Sequence, residues 1–342
     1  GDERAVTAVA NALALTKSGN WEDGLNILTR VDSTADRGLG GARGKLFDWR
    51  ARNRVAPARD EKILTDWNAL TIETLAYAGA AFKEPRYTQA AVAAAGRIAT
   101  ERYGDDGVLL HALAGGRKVP GFLEDYAFWA NELIGLYETT LDISYLESAR
   151  AVAGKTLELF YDQQAGAFYS FPVKGGDADL LTNVIEVHDG VVPSGVSSAV
   201  TALLRLGRYY DDEGLLRVAG DALTAHSVLM QQAPAACARM VMNLATYHQE
   251  PWQVEVSGAS GDKSSARYWD VVNARYWPSR MSARLDPESR RKEFPWMIEL
   301  GPQARKKAQV FLCKGKNCLL PTRDIAELES FLDVQLPRLT FK

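Results

Sequence analysis

A repeated pair of tyrosines constrains the fold of this 342-residue chain more than any other feature. Tyr87 to Tyr103 and Tyr145 to Tyr161 enclose stretches of equal length, and each ends in a Gly-bearing turn followed by a short apolar segment. The two pairs are offset by 58 residues, about the length of two ordinary helices with their connections. A weaker copy follows across residues 197–229. The repeat predicts a series of stacked helical hairpins.

The segment 122–136 predicts a helix that lies in an inner layer. Its apolar residues recur at steps of three and four, which marks one helix face. They are Phe122, Tyr126, Trp129, Leu133 and Leu136. Phe128, Ile134 and Tyr137 then occupy other faces of the same helix. A helix that is apolar on several sides is buried on several sides.

Hairpins of this length can stack into an open solenoid or close into an α/α toroid. The Gly-initiated extended segments between the helices favour the toroid. We therefore predict a mainly α fold, an α/α toroid of repeated helical hairpins with a small C-terminal α/β appendage. The expected organisation is an N-terminal segment of one short helix and a loop (1–60), the toroid (61–250) and the α/β region (251–342). Short strands at 254–256 and 309–312 and a helix at 325–332 are expected in the last part.

Composition excludes several classes of partner. The hydrophobic content of 46% is enough for a sizeable core. Forty basic and 43 acidic residues give a net charge of -3, so the basic field that nucleic-acid binding needs is absent. No apolar run approaches the length of about 18 residues that a membrane helix requires. The first residues lack the regions of a signal peptide, and we expect a cytoplasmic protein.

Neither a metal nor a cofactor is expected from the sequence. His111, His226 and His248 lack the spacing of metal ligands, and the common nucleotide-binding and redox motifs are missing. Three cysteines, Cys237, Cys313 and Cys318, are too few for a disulfide scaffold. They are predicted to be reduced, structural thiols.

The first polar cluster lies at residues 60–68 (DEKILTDWN), immediately before a predicted helix. Carboxylates beside a Trp and an Asn are suited to sugars, so Asp66, Trp67 and Asn68 are candidate substrate-binding residues. Thr65 or Asp66 could instead be the helix N-cap, whose side chain accepts backbone N–H groups. Trp67 and Asn68 are not needed for a cap, which favours a functional role for them.

The second cluster, residues 121–127 (GFLEDYA), begins the predicted inner helix. Glu124 and Asp125 are candidate catalytic residues, because acid/base chemistry uses neighbouring carboxyl groups in different environments. Tyr126 is a candidate for stacking on a sugar. The alternative is that the helix dipole alone favours acidic residues in a first turn.

The third cluster, residues 186–195, is a turn-rich approach to another helix. His188 and Asp189 are candidate catalytic residues, because a His beside an Asp can exchange a proton near neutral pH. Ser194 is a candidate substrate-binding residue and also the expected N-cap of the helix. A lone His in a loop can equally be structural.

Taken together, the three clusters resemble the C-terminal region of the spermatogenesis-associated protein 20 family, whose bacterial members are called thioredoxin-domain-containing proteins. Residues 60–68 match the family pattern D-[DE]-K-x-L-T-x-W-N, and residues 121–127 match G-F-L-[DE]-D-Y-A. Residues 189–197 (DGVVPSGVS) match D-x-x-x-P-S-G-N-S except at Val196, where the family has Asn. Residues 19–28 add a weaker likeness, so the resemblance covers nearly the whole chain.

The resemblance implies a thioredoxin-like domain followed by an (α/α)6 toroid similar to six-hairpin glycosidases and N-acylglucosamine 2-epimerases, which would be incomplete in this chain. The thioredoxin-like domain and the first part of the toroid are expected to be absent from this chain, so that it self-associates or pairs with a complementing N-terminal part of the same protein. The implied function is a carbohydrate-directed domain, epimerase-like or glycosidase-like, acting on a small sugar or sugar derivative. The rival hypothesis is a non-catalytic helical scaffold that binds or regulates the thioredoxin-like domain, and Val196 favours it.

Overall fold

The computed structural model describes residues 3–30, 39–104, 107–114, 117–173, 182–258, 261–277, 279–285, 294–297, 307–315, 317–319 and 321–336. Its contacts divide the chain into two compact units, 1–61 and 62–342. The first unit contains α1 (Glu3–Ala12), a 3₁₀ turn (Glu22–Gly24) and α2 (Gly40–Asn53).

Helix α2 corrects the prediction that the first sixty residues contain one short helix and a loop. Neither α1 nor α2 has a buried residue, and α2 has no apolar period that sequence reasoning could detect. Its Lys, Arg, Ala and Leu residues are good helix formers. Intrinsic propensity, rather than a buried face, therefore explains this helix.

The second unit opens with three successive helical hairpins. They are α3 (Thr65–Phe82) with α4 (Pro85–Glu101), α5 (Leu123–Thr140) with α6 (Ile143–Phe160), and α7 (Gly195–Tyr209) with α8 (Glu213–Ala225). The short helix α9 (Ser227–Gln232) and α10 (Ala238–His248) follow. No helix within the described residues is long and apolar enough to cross a membrane.

The tyrosine repeat corresponds to the outer helices of two hairpins and the turns after them. Helix α4 leads into a turn and the strands β1 (Leu110–Ala114) and β2 (Arg117–Pro120), which pair antiparallel. Helix α6 leads in the same way into β3 (Tyr161–Asp162) and β4 (Ala167–Phe168). The predicted unit of two helices followed by a Gly-bearing turn and an extended segment is therefore confirmed.

Alternate helices form the inner layer. Helix α3 packs against α5, α5 against α7, and α7 against α10, whereas α4, α6 and α8 each pack mainly on their own hairpin partner. Helix α5 buries fifteen of its eighteen residues, as the several-sided apolar pattern predicts. This alternation of inner and outer helices is an α/α toroid, and the predicted fold class is confirmed.

The C-terminal region is a four-stranded sheet covered by two helices. The strands β5 (Trp252–Ser257), β6 (Arg280–Leu285), β7 (Gln309–Lys314) and β8 (Asn317–Cys318) lie in the order β6-β5-β7-β8. Strand β6 is parallel to β5, with α11 (Lys263–Asn273) in the crossover between them, and β7 is antiparallel to β5. Helix α12 (Ile325–Gln335) packs on α11. The predicted small α/β part is therefore present.

Strand β6 is hydrogen-bonded directly to the inner helices. The Tyr137 hydroxyl of α5 donates to the Ser282 carbonyl oxygen at 2.8 Å. The Ser282 N–H donates to the Tyr209 hydroxyl of α7 at 3.0 Å. Met281, Ala283 and Leu285 of β6 belong to the same buried apolar cluster as the helices. The sheet therefore extends the helical core rather than lying beside it.

One cysteine prediction is wrong. Cys313 and Cys318 form a disulfide, because β7 and β8 are paired in a register that places these two residues directly opposite each other. A sequence separation of five residues gave no sign of that hairpin. Cys237 is a buried free thiol, as predicted.

A carboxyl group without a partner is buried in α5. Glu132 is 0% exposed, and neither of its side-chain oxygens has a hydrogen-bond partner among the described residues. Burial, with a smaller contribution from the charge of Glu73, raises the pKa of Glu132 well above its usual range. The folded chain therefore keeps this side chain protonated where the unfolded chain ionises it.

We expect Glu132→Gln to stabilise the protein increasingly as pH rises. Below the unfolded pKa near 4.5, Glu132 is protonated in both the folded and the unfolded chain, and the wild type has its full stability. As the pH rises towards the raised folded pKa, only the unfolded chain loses the proton, so the wild type loses stability. Gln has no proton to lose, so the variant should gain about 1–3 kcal/mol of unfolding free energy at about pH 8. Urea denaturation at several pH values measures this difference.

The control is Glu158→Gln on the outer helix α6, where the side chain is 65% exposed. That change should alter stability by less than about 0.5 kcal/mol at every pH. A Glu132→Gln advantage that does not grow with pH would contradict the protonated, buried state of Glu132.

A second prediction concerns association. A six-hairpin ring needs more hairpins than the three that the described residues contain. Phe82 at the end of α3 and Val228 of α9 are 46% and 61% exposed, and soluble monomers seldom leave large apolar faces uncovered. We therefore expect a concentration-dependent dimer or larger species in light scattering. A strictly monomeric, folded species would count against this expectation.

Candidate functional site

The first two polar clusters meet where the inner helices α3 and α5 begin, and Asp125 joins them. Asp125 is fully buried. Its Oδ1 accepts the Asp66 N–H at 3.1 Å, and its Oδ2 accepts the Phe122 N–H at 2.8 Å. Helix N-termini leave such N–H groups without partners, so one carboxylate caps the helix that contains it and the neighbouring helix. Asp125 is thus a structural cap whatever else it does.

Neither Thr65 nor Asp66, the two residues considered as the N-cap of α3, occupies that position. The structure has Leu64 at that position, without a side-chain cap, and Thr65 is the first helical residue. The Thr65 hydroxyl donates to the Leu110 carbonyl oxygen at 2.5 Å. The cap comes from Asp125, which is 59 residues away in sequence, so no local pattern could reveal it.

Asp66, Trp67 and Asn68 lie on the first turn of α3. Asp66 is half-buried and its Oδ1 accepts the Trp67 N–H at 2.8 Å. Trp67 is 61% exposed. The Asn68 side chain donates to the Leu64 carbonyl oxygen at 2.7 Å. Trp67 is therefore a large accessible aromatic surface beside a carboxyl group.

His111 completes the cluster, and sequence reasoning missed it. Its Nδ1 lies 3.1 Å from both side-chain oxygens of Asp125. The ring packs against Phe122, with centroids 5.1 Å apart. Within the described residues, Nε2 has no hydrogen-bond partner, and the side chain is 21% exposed. The available signal was a polar residue in the extended segment after the first tyrosine pair, which a search for His spacing ignores.

Glu124 adds a second carboxyl group with a different environment. It is half-buried and lies against the start of α7. An added Cβ at Gly195 would lie only 3.0 Å from the Glu124 carboxyl carbon and 3.1 Å from its Oε1. The close approach leaves little room for a larger residue at that position unless the Glu124 side chain shifts. It also links the second cluster to the third, at the point where α7 begins.

The pKa values of Asp66, His111 and Glu124 are all raised, which favours the protonated form of each. Burial, then the charges of Asp125 and Asp66, raises the pKa of Glu124. Burial and the charge of Asp125 also raise the pKa of Asp66. The hydrogen bond to Asp125 raises the pKa of His111, although its partial burial opposes that shift. We call Asp66, His111, Glu124 and Asp125 the acid–histidine group.

The third cluster is used mainly to join helices. The Asp189 Oδ1 accepts the Ser194 N–H at 2.9 Å, and its Oδ2 accepts the Arg239 N–H of α10 at 2.7 Å. The Ser194 hydroxyl accepts the Ser197 N–H at 3.1 Å, which is the predicted N-cap. His188 is exposed and pairs with Glu186 at 3.3 Å. Of this loop, Glu186 is close enough for its charge to affect Glu124.

Tyr126, a candidate stacking residue, and Val196, which stands where the family has Asn, are both buried. Tyr126 is 1% exposed and its hydroxyl accepts the Leu109 N–H at 2.9 Å, so the ring is not available for stacking in this conformation. Val196 is 0% exposed and belongs to the apolar core. Its side chain does not line the acid–histidine group, so the change from the family Asn affects packing.

Three residues of the acid–histidine group could also present ligands to a cation. Asp66, His111 and Asp125 each offer one ligand atom, and these atoms lie within 4.8 Å of one another. The Asp125 oxygens already accept two backbone N–H groups and face His111. The arrangement is therefore better explained as a hydrogen-bonded His–Asp pair than as a set of free metal ligands.

No family model matches the chain. Among solved structures, it is similar to an α-mannanase of Bacteroides thetaiotaomicron, with 14% identity, a TM-score of 0.45 and coverage of 67% of this chain and 65% of that one. It is also similar to cellobiose 2-epimerase of Bacillus thermoamylovorans, with 18% identity, a TM-score of 0.39 and coverage of 49% and 45%. These likenesses concern the arrangement of helices and not the activity.

Relatives in sequence are closer. Human spermatogenesis-associated protein 20 is 29% identical over 304 residues, which are 84% of this chain and 38% of the human protein. The mouse protein of the same name is 28% identical over 303 residues, with the same shares. An uncharacterised protein of Caenorhabditis elegans is 26% identical over 321 residues, 88% of this chain and 42% of that protein.

The chain thus spans about two fifths of the length of these relatives. The likeness extends over more than four fifths of the chain itself. The resemblance predicted from the three motifs is confirmed: this chain is a homologue of spermatogenesis-associated protein 20 over that part of its length.

Proposed function

We propose that the acid–histidine group binds a small sugar or sugar derivative and transfers a proton on it. The observation that carries the proposal is the meeting of Asp66, His111, Glu124 and Asp125 at the start of the inner helices. Acid/base catalysis needs titratable groups with separated protonation behaviour within one site. Burial and the charges of neighbouring carboxylates raise the pKa of Asp66 and of Glu124 here.

His111 is the proposed base. Asp125 holds Nδ1, which orients the ring and leaves Nε2 to accept a proton from a ligand. Asp125 acts on the ligand only through His111, so it is a positioning residue. The protonated carboxyl of Glu124 is the proposed acid, because its raised pKa keeps a proton available nearer to neutral pH.

Trp67 and Asn68 are the proposed binding residues beside this pair. The 61% exposed indole of Trp67 offers a flat apolar surface for the C–H face of a sugar ring. The side-chain amide of Asn68 donates a hydrogen bond to the Leu64 carbonyl oxygen. The side-chain oxygen of Asn68 can accept a hydrogen bond from a sugar hydroxyl. Epimerisation at a sugar carbon and cleavage of a glycosidic bond both use such acid and base groups.

A second candidate function is a non-catalytic scaffold, and a specific observation favours it. Asp125, Tyr126, Asp189 and Ser194 all accept backbone N–H groups at the ends of helices or at strand β1. The motifs that are shared with the relatives can therefore be explained by folding alone. The two functions differ in what they require of Trp67 and Glu124, since only the catalytic one needs a stacking surface and a protonated acid.

Ligand-observed saturation-transfer NMR with a panel of neutral monosaccharides and disaccharides tests the binding step. At least one sugar should receive saturation from the wild-type protein, and Trp67→Ala should reduce that signal at least about fivefold because the stacking surface is lost. Trp49→Ala is the matched control, since Trp49 is 57% exposed and lies in the other unit. If no sugar receives saturation, or if both variants behave alike, the sugar proposal is wrong.

Glu124→Gln tests the proton transfer. The variant should still bind the sugar found in the panel, but turnover followed by NMR of the products should fall about 10²–10⁴-fold. In the wild type, turnover should also fall as pH rises through the raised pKa of Glu124, because the acid must be protonated to act. Binding with no turnover in either protein would leave the scaffold as the better description.

Asp125→Asn tests the structural role that both candidates share. Replacing the carboxylate leaves buried N–H donors without a charged acceptor, which should cost about 1–3 kcal/mol of unfolding free energy in urea denaturation. Asp142→Asn is the control, because Asp142 is an exposed N-cap of α6 and Asn caps equally well. Equal effects of the two substitutions would show that Asp125 does not hold the helix starts together.

A further inference from the structure

A second polar region lies along the inner faces of α3, α7 and α10 and extends to the residues before β6. It encloses a cavity of about 340 Å³. Its charged lining residues are Glu73, Glu138, Arg205, Arg239, Arg275 and Arg280. No member of the acid–histidine group lines it. Four guanidinium groups thus face two carboxylates around one cavity.

Arg205 forms salt bridges with both carboxylates. Its Nη1 lies 3.1 Å from Glu73 Oε1, and its Nη2 lies 3.2 Å from Glu138 Oε2. Nη2 also donates to the Tyr77 hydroxyl at 2.7 Å, and that hydroxyl donates to Glu138 at 2.7 Å. This network is internally complete. With both glutamates ionised it has one negative charge in excess, but no salt bridge among the described residues joins either glutamate to the other three arginines.

Arg275 has its own acid. Its Nη2 is paired with Asp333 of α12, and its Nη1 donates to the Val271 carbonyl oxygen at 2.9 Å. Asp333 lies outside the cavity lining. The charge of Arg275 is thus balanced by an acid of the C-terminal helix α12 and not by a residue of the cavity lining.

Arg280 is buried without an acid among the described residues. It is 7% exposed. Its Nη1 donates to the Val272 carbonyl oxygen and its Nη2 to the Asn273 side-chain oxygen, both neutral acceptors. A buried cation is costly unless a negative charge compensates it. The first arginine beside the cavity without a direct acid partner among the described residues is therefore Arg280.

Arg239 is the second. Its Nε donates to the Thr201 hydroxyl at 3.1 Å. Its terminal nitrogens have no hydrogen-bond partner in the part of the chain that the structure describes, and the side chain is only half-buried. A planar guanidinium with both terminal NH2 groups available fits the paired oxygens of a carboxylate or a phosphate.

We propose that this cavity binds a small organic oxyanion, a carboxylate or phosphate on a molecule of monosaccharide size, between Arg239 and Arg280. The volume of about 340 Å³ exceeds what a bare oxyanion needs and falls within the range of small-ligand pockets. Tyr276 and Trp277 also line the cavity and supply an apolar surface for the rest of the ligand. The proposal is independent of the acid–histidine group and stands or falls separately from the sugar chemistry there.

Isothermal titration calorimetry at constant ionic strength tests the proposal with the wild-type chain and four probes. They are inorganic phosphate, glucose 6-phosphate, glucuronate and neutral glucose. At least one of the three anions should bind with one-to-one stoichiometry, and at least about tenfold more tightly than glucose. Comparing phosphate with glucose 6-phosphate and glucuronate shows whether the oxyanion or the sugar body contributes more.

Arg239→Gln should weaken that binding at least about tenfold. Arg97→Gln is the control for the loss of one positive charge, because Arg97 lies on the outer helix α4 and is 69% exposed. Circular dichroism checks that both variants are folded. Because Arg239 is half-buried, its substitution spares the core, whereas Arg280 is too deeply buried for a clean test.

Three results would overturn the proposal. One is the absence of binding by all three anions at millimolar concentration. Another is binding of glucose as tight as that of the anions. The third is unchanged anion binding in Arg239→Gln while Arg97→Gln also binds normally. The sugar panel and the Trp67 variant report separately on the other site, so failure of one proposal is distinguishable from failure of the other.

Discussion

The buried carboxylate of Asp125 fixes the relation between the first two inner helices. It is fully enclosed, and it accepts hydrogen bonds from the backbone of both helix starts while it faces the His111 ring. An unpaired charge in that position would be costly, so the three partners must stay in place together. The position of α3 relative to α5, and the orientation of the histidine on β1, thus depend on the same two oxygen atoms.

The sequence predicted the helical layer well because that layer is encoded locally. Apolar spacing identified α5 as an inner helix, and the tyrosine repeat identified two hairpins with their turns. The cap of α3, the His111–Asp125 pair and the Cys313–Cys318 bond depend on residues brought together by tertiary structure. No periodicity encodes these pairings. Helix α2 was missed for the opposite reason, since it has no buried face to produce a pattern.

The two polar regions of the inner layer differ in how their charge is balanced. Around the acid–histidine group, carboxyl groups repel one another, and this repulsion adds to burial in raising the pKa of Glu124. Around the cavity, Arg205 forms salt bridges with two glutamates, whereas Arg239 and Arg280 have no acid partner among the described residues. The first region has an excess of acids and the second an excess of bases. A protein built from the same few helices can therefore offer two chemically different environments.

The hydrogen bonds between Ser282 and the two tyrosines make the helices and the sheet one cooperative unit. Without β6, the Tyr137 hydroxyl loses the carbonyl it donates to, and the Tyr209 hydroxyl loses one donor at the end of an inner helix. Buried hydroxyl groups without partners are expensive, and Met281 and Leu285 would leave gaps in the apolar core as well. A helical fragment that ends near residue 250 would therefore be a poor folding unit, although the sequence changes character at that point. Strand β6 thus completes the hydrogen bonding of an inner helix that ends 73 residues before Ser282 in the sequence.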